Sequence, residues 1–301
     1  MISRHGASWG SGGRGFKSPL PDQLSPFPTM TQPDSHGVVA AQDAERLARE
    51  AGVEVRGLMS LLLPFAAEYA KPPVSDFRVG AVCRGVTSGN LYFGTNVEFA
   101  GTALSTTVHA EQSAVTNAWM SGEEGIDAIA VTAPPCGYCR QFLNELATAE
   151  RLEVTIGGAA HPLAHFLPSA FGPRDLGISG GLMQREDHGL AMDGDDDELL
   201  RAALAAANRS YAPYSHAYAG VALRAADGTV VSGAYAENAA FNPSMSPLQV
   251  ALSRLNLRRI EFATIVDAAL VQTKPALHEA ATREVLAAVS DAPLRVVVAR
   301  R

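Results

Sequence analysis

Two short motifs bring together residues that could hold a metal ion and move a proton. His109 and Glu111 form a His-x-Glu motif, and Cys136 and Cys139 follow Pro135 in a Pro-Cys-x-x-Cys motif. Cysteines three residues apart share one face of a helix, where both thiolates can bind one tetrahedral ion, with the histidine as third ligand. Three protein ligands leave a fourth position for water, which is typical of a catalytic zinc site. The motifs therefore predict one zinc ion per chain, bound by His109, Cys136 and Cys139.

The same motifs predict how water would be activated. Pro135 is tolerated in the first turn of a helix, so Cys136 would lie where unpaired amide hydrogens favour the thiolate. Zinc lowers the pKa of bound water to about 7. On a helix, Glu111 points away from the ligand His109, and it is free to act as general acid and base. Arg140 could donate to a thiolate or bridge to the neighbouring sheet.

The elements that must position these motifs alternate between strands and helices. Strands are predicted at 77–83, 91–96, 128–132 and 152–156, and helices at 109–120 and 136–150. Upstream, Asp43 is expected to cap a helix that stops at Gly52. A second helix is expected over 55–70, and Pro64 should kink or restart it. This alternation predicts an α/β layered domain.

The second half of the chain repeats the first. Residues 73–80 align with 213–220, and 94–98 align with 233–237. In the second copy, Ser246 and Leu248 stand where the first copy has His109 and Glu111, and 275–279 falls where the cysteine motif should be. The second copy is therefore not expected to bind zinc.

Composition limits the classes of partner. The chain has 301 residues, of which 47% are hydrophobic and 18% charged, and a net charge of −7, which disfavours a nucleic-acid partner and favours a small uncharged substrate. The apolar stretch at 58–67 is too short for the ~20 residues of a membrane span. Three cysteines, two of them in one motif, indicate a reducing cytoplasmic setting and not a disulfide framework.

The chain is predicted to divide into five segments. They are a disordered tail at 1–36, a helical segment at 37–70, a catalytic domain at 71–172, a linker at 173–194 and a degenerate domain at 195–301. The boundary is placed near Gly194. The tail is rich in Ser, Gly and Pro, and the alternatives for it are an organelle transit peptide or a start codon placed upstream of Met30.

With these motifs the sequence resembles cytidine deaminases, specifically the bacterial two-domain, homodimeric branch with a His-Cys-Cys zinc site. The resemblance runs from about Asp43 to the C-terminus and includes the segments 77–81, 96–100, 109–112, 135–142, 171–176 and 236–243. It implies duplicated three-layer α/β/α domains with a mixed sheet, preceded by a small helical segment. It also implies hydrolysis of cytidine and deoxycytidine by zinc-activated water attacking C4, with Glu111 as proton shuttle, in pyrimidine salvage.

The resemblance assigns further residues to the nucleoside. It implies that Asn96 and Glu98 hold the sugar hydroxyls, and an amide and a carboxylate at alternate positions after a strand do point to the same side. Phe77 resembles an aromatic wall beside the base, although its place in a strand is equally typical of a core residue. The Ala110 amide resembles the donor to the base O2. Phe171 is the candidate aromatic residue that completes the partner's active site in the homodimer.

Three alternatives remain beside a free-nucleoside deaminase. A deaminase of tRNA or single-stranded DNA would need a basic channel with aromatic residues, and no Lys/Arg cluster near the motifs provides one. A deoxycytidylate deaminase would need a phosphate cradle, which is not evident near Asn96. A non-enzymatic zinc-binding scaffold would be expected to have lost Glu111, as the second copy has lost its equivalent. The preference between cytidine and deoxycytidine stays open.

Overall fold

A computed structural model describes residues 36–193 and 197–301 of the protein. The predicted tail, apart from His36, and the predicted boundary at Gly194 lie outside these residues. The helices are α1 (Ala41–Ala51), α2 (Val55–Ala67), α3 (Ala110–Met120), α4 (Gly137–Leu143), α5 (Leu163–Phe166), α6 (Glu198–Asn208), α7 (Pro247–Leu257) and α8 (Glu279–Val289). The strands are β1 (Val38–Val39), β2 (Gly80–Gly85), β3 (Leu91–Thr95), β4 (Ile126–Val131), β5 (Glu153–Ile156), β6 (Ala159–Pro162), β7 (Ala219–Ala225), β8 (Val230–Ala234), β9 (Ile265–Gln272) and β10 (Leu294–Val298).

Two mixed sheets of related topology confirm the duplication. The first sheet has the order β1-β3-β2-β4-β5-β6, and the second has the order β10-β9-β7-β8. In the first sheet β4 pairs parallel with β5, and β2 pairs antiparallel with β3 and β4. In the second sheet β9 pairs parallel with β10, and β7 pairs antiparallel with β8 and β9. Strands β2 to β5 thus correspond to β7 to β10.

Glycines at equivalent places in the two halves explain how closely the helices approach the sheets. A Cβ on Gly80 would collide with the backbone of α2, and a Cβ on Gly94 would collide with the backbone of α3. Gly94 pairs with Ala81, whose neighbour Gly80 faces the other side of the sheet, so α2 and α3 cover opposite faces. Gly220 and Gly233 approach α6 and α7 in the same way. Each half is therefore a three-layer α/β/α unit.

The two halves meet where α3 packs against α7. All eleven residues of α3 are buried, because the first sheet covers one side of this helix and α7 covers another. One apolar core runs from the first sheet through both helices into the second sheet. Helix α3, which follows the predicted ligand His109, is therefore an internal element of the part of the chain that the structure describes.

The segment predicted as a linker is packed against the first half. Leu182 and Met183 are buried, and the Leu182 N–H donates to the Glu145 carbonyl at 2.8 Å while the Leu182 carbonyl accepts from Ala147 N at 3.1 Å. No helix within 36–193 or 197–301 combines the length and the apolar character needed to cross a bilayer.

Three local predictions are wrong. Helix α1 begins at Ala41 and not after Asp43, because the Asn90 Oδ1 accepts from the Ala41 N–H at 2.8 Å and takes the role of the cap. Helix α2 runs through Pro64, so the predicted restart is wrong, and the kink stays a prediction. The helix packs closely on β2 at Gly80 on both sides of this proline, at Leu63 and Ala67. The helix predicted over 136–150 ends at Leu143.

Candidate active site

The three predicted metal ligands come together where the N-terminal ends of α3 and α4 meet. His109 directly precedes α3, and Cys136 directly precedes α4. Cys139 lies in the first turn of α4 and is fully buried. The Cys136 Sγ lies 3.6 Å from the Cys139 Sγ and 3.6 Å from the His109 Nδ1. The three ligand atoms all lie within 4.8 Å of one another.

This spacing fits a tetrahedral zinc ion. With zinc–sulfur bonds of about 2.3 Å and a zinc–nitrogen bond of about 2.0 Å, tetrahedral angles place the two sulfurs about 3.8 Å apart and a sulfur about 3.5 Å from the nitrogen. Cys136 is exposed, so water and substrate can approach the three-ligand group from the side of this residue. Among the residues that the structure describes, no second group of three metal-binding side chains is found. Within the described residues, the fold thus provides one group with the geometry of a zinc site.

The two thiols have opposite acid–base character. The hydrogen bond between the two thiols lowers the pKa of Cys136 to about 3, and the hydrogen bond with His109 contributes in the same direction. The same hydrogen bond, together with burial, raises the pKa of Cys139. The pKa of His109 is raised chiefly by its hydrogen bond to Cys136. Of the two thiols, Cys136 is therefore the stronger acid.

Glu111 lies in the first turn of α3 and is 4% exposed. Its carboxylate is not part of the three-ligand group, although it hydrogen-bonds to the thiol of Cys139. Burial raises the pKa of Glu111 above its usual value. A buried carboxyl group next to the ligands, without being a ligand itself, is placed to exchange a proton there.

The nearby polar residues hold the ligands through the backbone. The Gln112 Oε1 accepts from the His109 N–H at 3.1 Å. The Arg140 guanidinium donates to the Pro135 carbonyl at 2.7 Å and to the Phe166 carbonyl at 3.0 Å. Neither role expected for Arg140, a bond to a thiolate or a bridge to the sheet, is seen. Instead, Arg140 fixes the residue before the first cysteine ligand.

Glu98 lies beside the zinc ligands on a backbone cradle. Its carboxylate accepts from the Val74 N–H at 2.8 Å, the Ser75 N–H at 2.9 Å and the Ser75 hydroxyl at 2.5 Å. Desolvation raises the pKa of Glu98, but these hydrogen bonds outweigh it, so the pKa is lowered and the carboxylate is anionic. Glu98 is also close enough to His109 for the two charges to influence each other's pKa.

Asn96 is buried and bonded at both ends of its amide. The Oδ1 accepts from the Val79 N–H at 2.9 Å, and the Nδ2 donates to the Phe77 carbonyl at 2.8 Å. These bonds hold the Phe77–Val79 backbone in place before β2, which explains why the strand predicted from residue 77 begins only at Gly80. The Phe77 side chain is 52% exposed, so it is not a core residue.

The two remaining predicted residues have distinct positions. Ala110 is the first residue of α3, so its amide has no acceptor within the helix. Phe171 is 47% exposed, and its carbonyl accepts from the Gln141 Nε2 at 2.7 Å and the Asn144 Nδ2 at 3.1 Å. Phe171 is therefore anchored to α4 of its own chain while its ring faces outward.

Sequence reasoning missed the contacts that join the site to the second half. The Tyr138 ring stacks on the His109 ring with centroids 5.8 Å apart, and its hydroxyl donates to the Asn242 carbonyl. The buried Glu145 carboxylate accepts from the second half as well. A signal existed for Gln112, which stands three residues after a helix cap as in a capping box. No sequence pattern pointed to Glu145.

The second half has the same arrangement of elements as the first, but it lacks the side chains predicted to bind zinc and to transfer a proton. The Ser246 Oγ caps α7 by accepting from Gln249 N at 3.2 Å, in the position that His109 has before α3. Leu248 is buried where the first half has Glu111. Glu237 accepts from the backbone of Tyr214 at 2.7 Å, as Glu98 does in the first half. The expectation that this copy lost its ligands but kept the fold is confirmed.

Comparison with known proteins agrees with this geometry. The family model "Cytidine and deoxycytidylate deaminase zinc-binding region" matches residues 55–154 in one version and 163–283 in another. Cytidine deaminase of Vibrio vulnificus is 46% identical over 280 residues, covering 91% of this chain and 94% of that protein. The Aliivibrio fischeri protein is 46% identical with 90% and 92% covered, and the Klebsiella pneumoniae protein is 47% identical with 83% and 87% covered.

The chain belongs to the cytidine deaminase family. Both halves match the family, so the chain is of the two-domain bacterial type. All three metal ligands fall in the matched zinc-binding region at 55–154. The chain is therefore a zinc-dependent hydrolytic deaminase.

Proposed function

We propose that this cytidine deaminase family member converts cytidine and deoxycytidine to uridine and deoxyuridine, with water consumed and ammonia released, in pyrimidine salvage. The observation that carries the proposal is the tetrahedral spacing of His109, Cys136 and Cys139 beside the buried carboxyl group of Glu111. The relatives that match over most of their length are named cytidine deaminases.

Glu111 is the proton shuttle in this proposal. Zinc held by the three ligands is the Lewis acid that makes water reactive near neutral pH. Glu111 takes a proton from the attacking water and delivers it to the pyrimidine N3 as the new C4–O bond forms. It then takes the proton of the new C4 hydroxyl and passes it to the amino group, so that the C4 carbonyl forms as the C4–N bond breaks and ammonia leaves. Because the carboxyl group is buried next to the ligands, bulk water does not compete for this proton.

Four residues orient the nucleoside. Glu98 presents a preorganised carboxylate to the sugar hydroxyls, and Asn96 supports the segment that carries Phe77. The exposed Phe77 ring offers an apolar face to the base. The Ala110 amide, at the start of α3, is the donor to the base O2. These assignments follow from position and chemistry, and substitution of each residue tests them through KM.

The working assembly in this proposal is a homodimer located in the cytoplasm. Exposed apolar side chains near the site, among them Phe171 and Phe241 at 47% and 65% exposure, favour cover by a second copy. Phe171 would complete the partner's site. Light scattering gives the assembly, and Phe171→Ala should raise KM with the zinc content unchanged. A monomer with full activity would contradict this part of the proposal.

A substrate panel tests the function directly. The zinc-loaded protein is assayed for deamination of cytidine, deoxycytidine, cytidine monophosphate, adenosine and a cytosine-containing oligonucleotide, with Glu111→Gln as inactive control. Turnover of the two nucleosides is expected. Preferred turnover of the monophosphate or of the oligonucleotide would move the substrate to one of the alternative classes, and no turnover at all would overturn the proposal.

A further inference from the structure

A pair of equivalent glutamines crosses the junction between the two halves. The Gln112 Nε2 donates to the Pro243 carbonyl of the second half at 3.2 Å. In return, the Gln249 Nε2 donates to the Thr106 carbonyl of the first half at 2.8 Å. Both side chains use their Oε1 to accept from the residue that caps their own helix, His109 at 3.1 Å and Ser246 at 2.8 Å. The two contacts are the same interaction made in both directions.

The carbonyl that each glutamine reaches stands three residues before the cap of the other helix. For Gln249 this is Thr106, and the residue it leads to is the zinc ligand His109. Between them, Val108 is held by two backbone hydrogen bonds of 2.9 Å with Val97. Three sets of hydrogen bonds therefore restrain the chain that leads to His109. Gln249 binds Thr106, Val97 binds Val108, and Gln112 binds the His109 N–H.

Only one of these three supports comes from the half that lacks zinc ligands. Gln249 is partly buried at the start of α7, where it bonds with both ends of its amide. Through its amide nitrogen, the second half supplies a hydrogen bond to the turn at 104–106. Because this bond is partly buried, it restrains the backbone of the turn. Groups that orient a metal ligand from outside the coordination sphere affect metal retention.

We infer that Gln249, a residue of the metal-free half, is a positioning residue for the zinc ligand His109 in the same chain. The second half then acts on the site through a directed hydrogen bond as well as through packing. This inference rests on the proposed zinc site. It does not depend on which substrate is deaminated.

Zinc release from the full-length protein tests the inference. The zinc-loaded protein is mixed with an excess of a chelating dye, and the rate of metal transfer is measured. In Gln249→Met, which keeps the length of the side chain and removes both polar ends, zinc should leave about 10-fold faster, the lower end of the effect of such outer residues. The kcat should fall as well, and KM should rise with it, because the Ala110 amide directly follows His109.

Ser253→Ala is the matched control. Ser253 lies one turn further along α7, and its hydroxyl donates across the same junction to the Ser113 hydroxyl at 2.8 Å, but it contacts the α3 helix itself and not the chain before His109. This variant weakens the junction without touching Thr106. It should release zinc within twofold of the wild-type rate.

Gln249→Glu removes the hydrogen-bond donor to Thr106 while the size and shape of the side chain stay nearly the same. It keeps the Oε1 that accepts from Ser246, and at pH 8 it lacks the donor to Thr106, so release should be accelerated relative to wild type. Because glutamate is close to glutamine in size and keeps the bond to the Ser246 N–H, this variant serves as the test if Gln249→Met does not fold.

Two results would overturn the inference. One is zinc release at the wild-type rate from both Gln249 variants. The other is equal acceleration in Ser253→Ala and Gln249→Met, which would mean that the second half acts through packing alone. A wild-type protein that binds zinc but deaminates no nucleoside would instead overturn the proposed function and leave the comparison of release rates valid.

Discussion

Glu145 is the residue whose removal should most clearly separate the two halves. Its side chain is completely buried, and every donor to its carboxylate belongs to the second half. The Tyr211 hydroxyl donates at 2.9 Å, the Tyr214 hydroxyl at 2.5 Å and the Ala239 N–H at 2.8 Å. Glu145 stands two residues beyond the end of α4, so it ties the helix of the cysteine ligands to the second domain.

The cost of Glu145→Ala follows from these three donors. Hydrogen bonds to a charged group contribute about 1.5–3 kcal/mol each, and a buried donor left without an acceptor costs about 1–3 kcal/mol. The Ala239 N–H cannot turn away, whereas the two hydroxyls can rotate, and removing a buried charge returns part of its desolvation cost. The net loss in the free energy of unfolding is therefore expected to be about 2–4 kcal/mol, and about half of that for Glu145→Gln.

Urea unfolding measured at fixed protein concentration gives this free energy, since association would otherwise contribute. Glu150→Ala is the control, because the Glu150 carboxylate is exposed and pairs with the exposed Arg174, a kind of bridge worth about 0–1 kcal/mol. A loss below about 0.5 kcal/mol for Glu145→Ala, or equal losses for both variants, would refute the reasoning.

Acid–base behaviour gives a second test of Glu145. Burial raises the pKa of Glu145, and the hydrogen bonds from Tyr214, Ala239 and Tyr211 offset this only in part. The folded protein therefore binds this proton more tightly than the unfolded chain does. The stabilising contribution is complete below the unfolded pKa of about 4.3 and is lost as the pH rises through the folded value. The stability difference between wild type and Glu145→Gln should accordingly shrink with rising pH.

Four further results are expected from the site and the duplication. Glu111→Ala should keep zinc, measured by elemental analysis, and lose about 100- to 10,000-fold in kcat, since general acid–base help is of that size; near-wild-type turnover would remove Glu111 from the mechanism. Cys136→Ala and Cys139→Ala should each lose both zinc and activity, and full zinc occupancy in either would mean that the ligands are misassigned. Arg140→Gln should lower kcat by less than about 10-fold with zinc retained, because its guanidinium acts on backbone carbonyls; an unchanged rate would reduce it to a structural residue. A chain ending near Gly194 should aggregate and be inactive, as judged by light scattering and assay, and a soluble, active product would show that the second half is dispensable.

The site could be predicted from sequence because its chemistry is concentrated in two motifs. His109, Glu111, Cys136 and Cys139 are few, chemically distinctive and close to helix starts, so their types and spacing leave little choice of arrangement. The duplication was equally visible, because glycines that allow a helix backbone to approach a strand, such as Gly80, cannot be replaced without a collision.

The junction between the halves could not be predicted in the same way. Residues such as Gln112, Ser113 and Asn117 read as the solvent face of a helix, yet all are buried in α3. Each has a bonded partner there: Gln112 and Ser113 bond across the junction, and the Asn117 Nδ2 donates to the Phe93 carbonyl at 3.2 Å. Sequence periodicity reports polarity along one helix and carries no information about a second domain that covers it.

Comparison of the two helix starts shows what the loss of zinc ligands changed. Before α7, Ser246 is among the best residues for capping a helix, and its hydroxyl makes that bond at 3.2 Å. Before α3 the same position is occupied by His109, which is not a favoured cap and whose ring is directed to the two cysteines. Likewise, the second half has the apolar side chain of Leu248 at the buried position where the first half has the carboxyl group of Glu111. At these two positions the second half has groups that stabilise the fold where the first half has groups that can do chemistry, and both halves have a glutamine at the next position. Because the Gln249 Nε2 donates to the Thr106 carbonyl, the second half still contacts the chain that leads to His109 although it lacks the ligands itself.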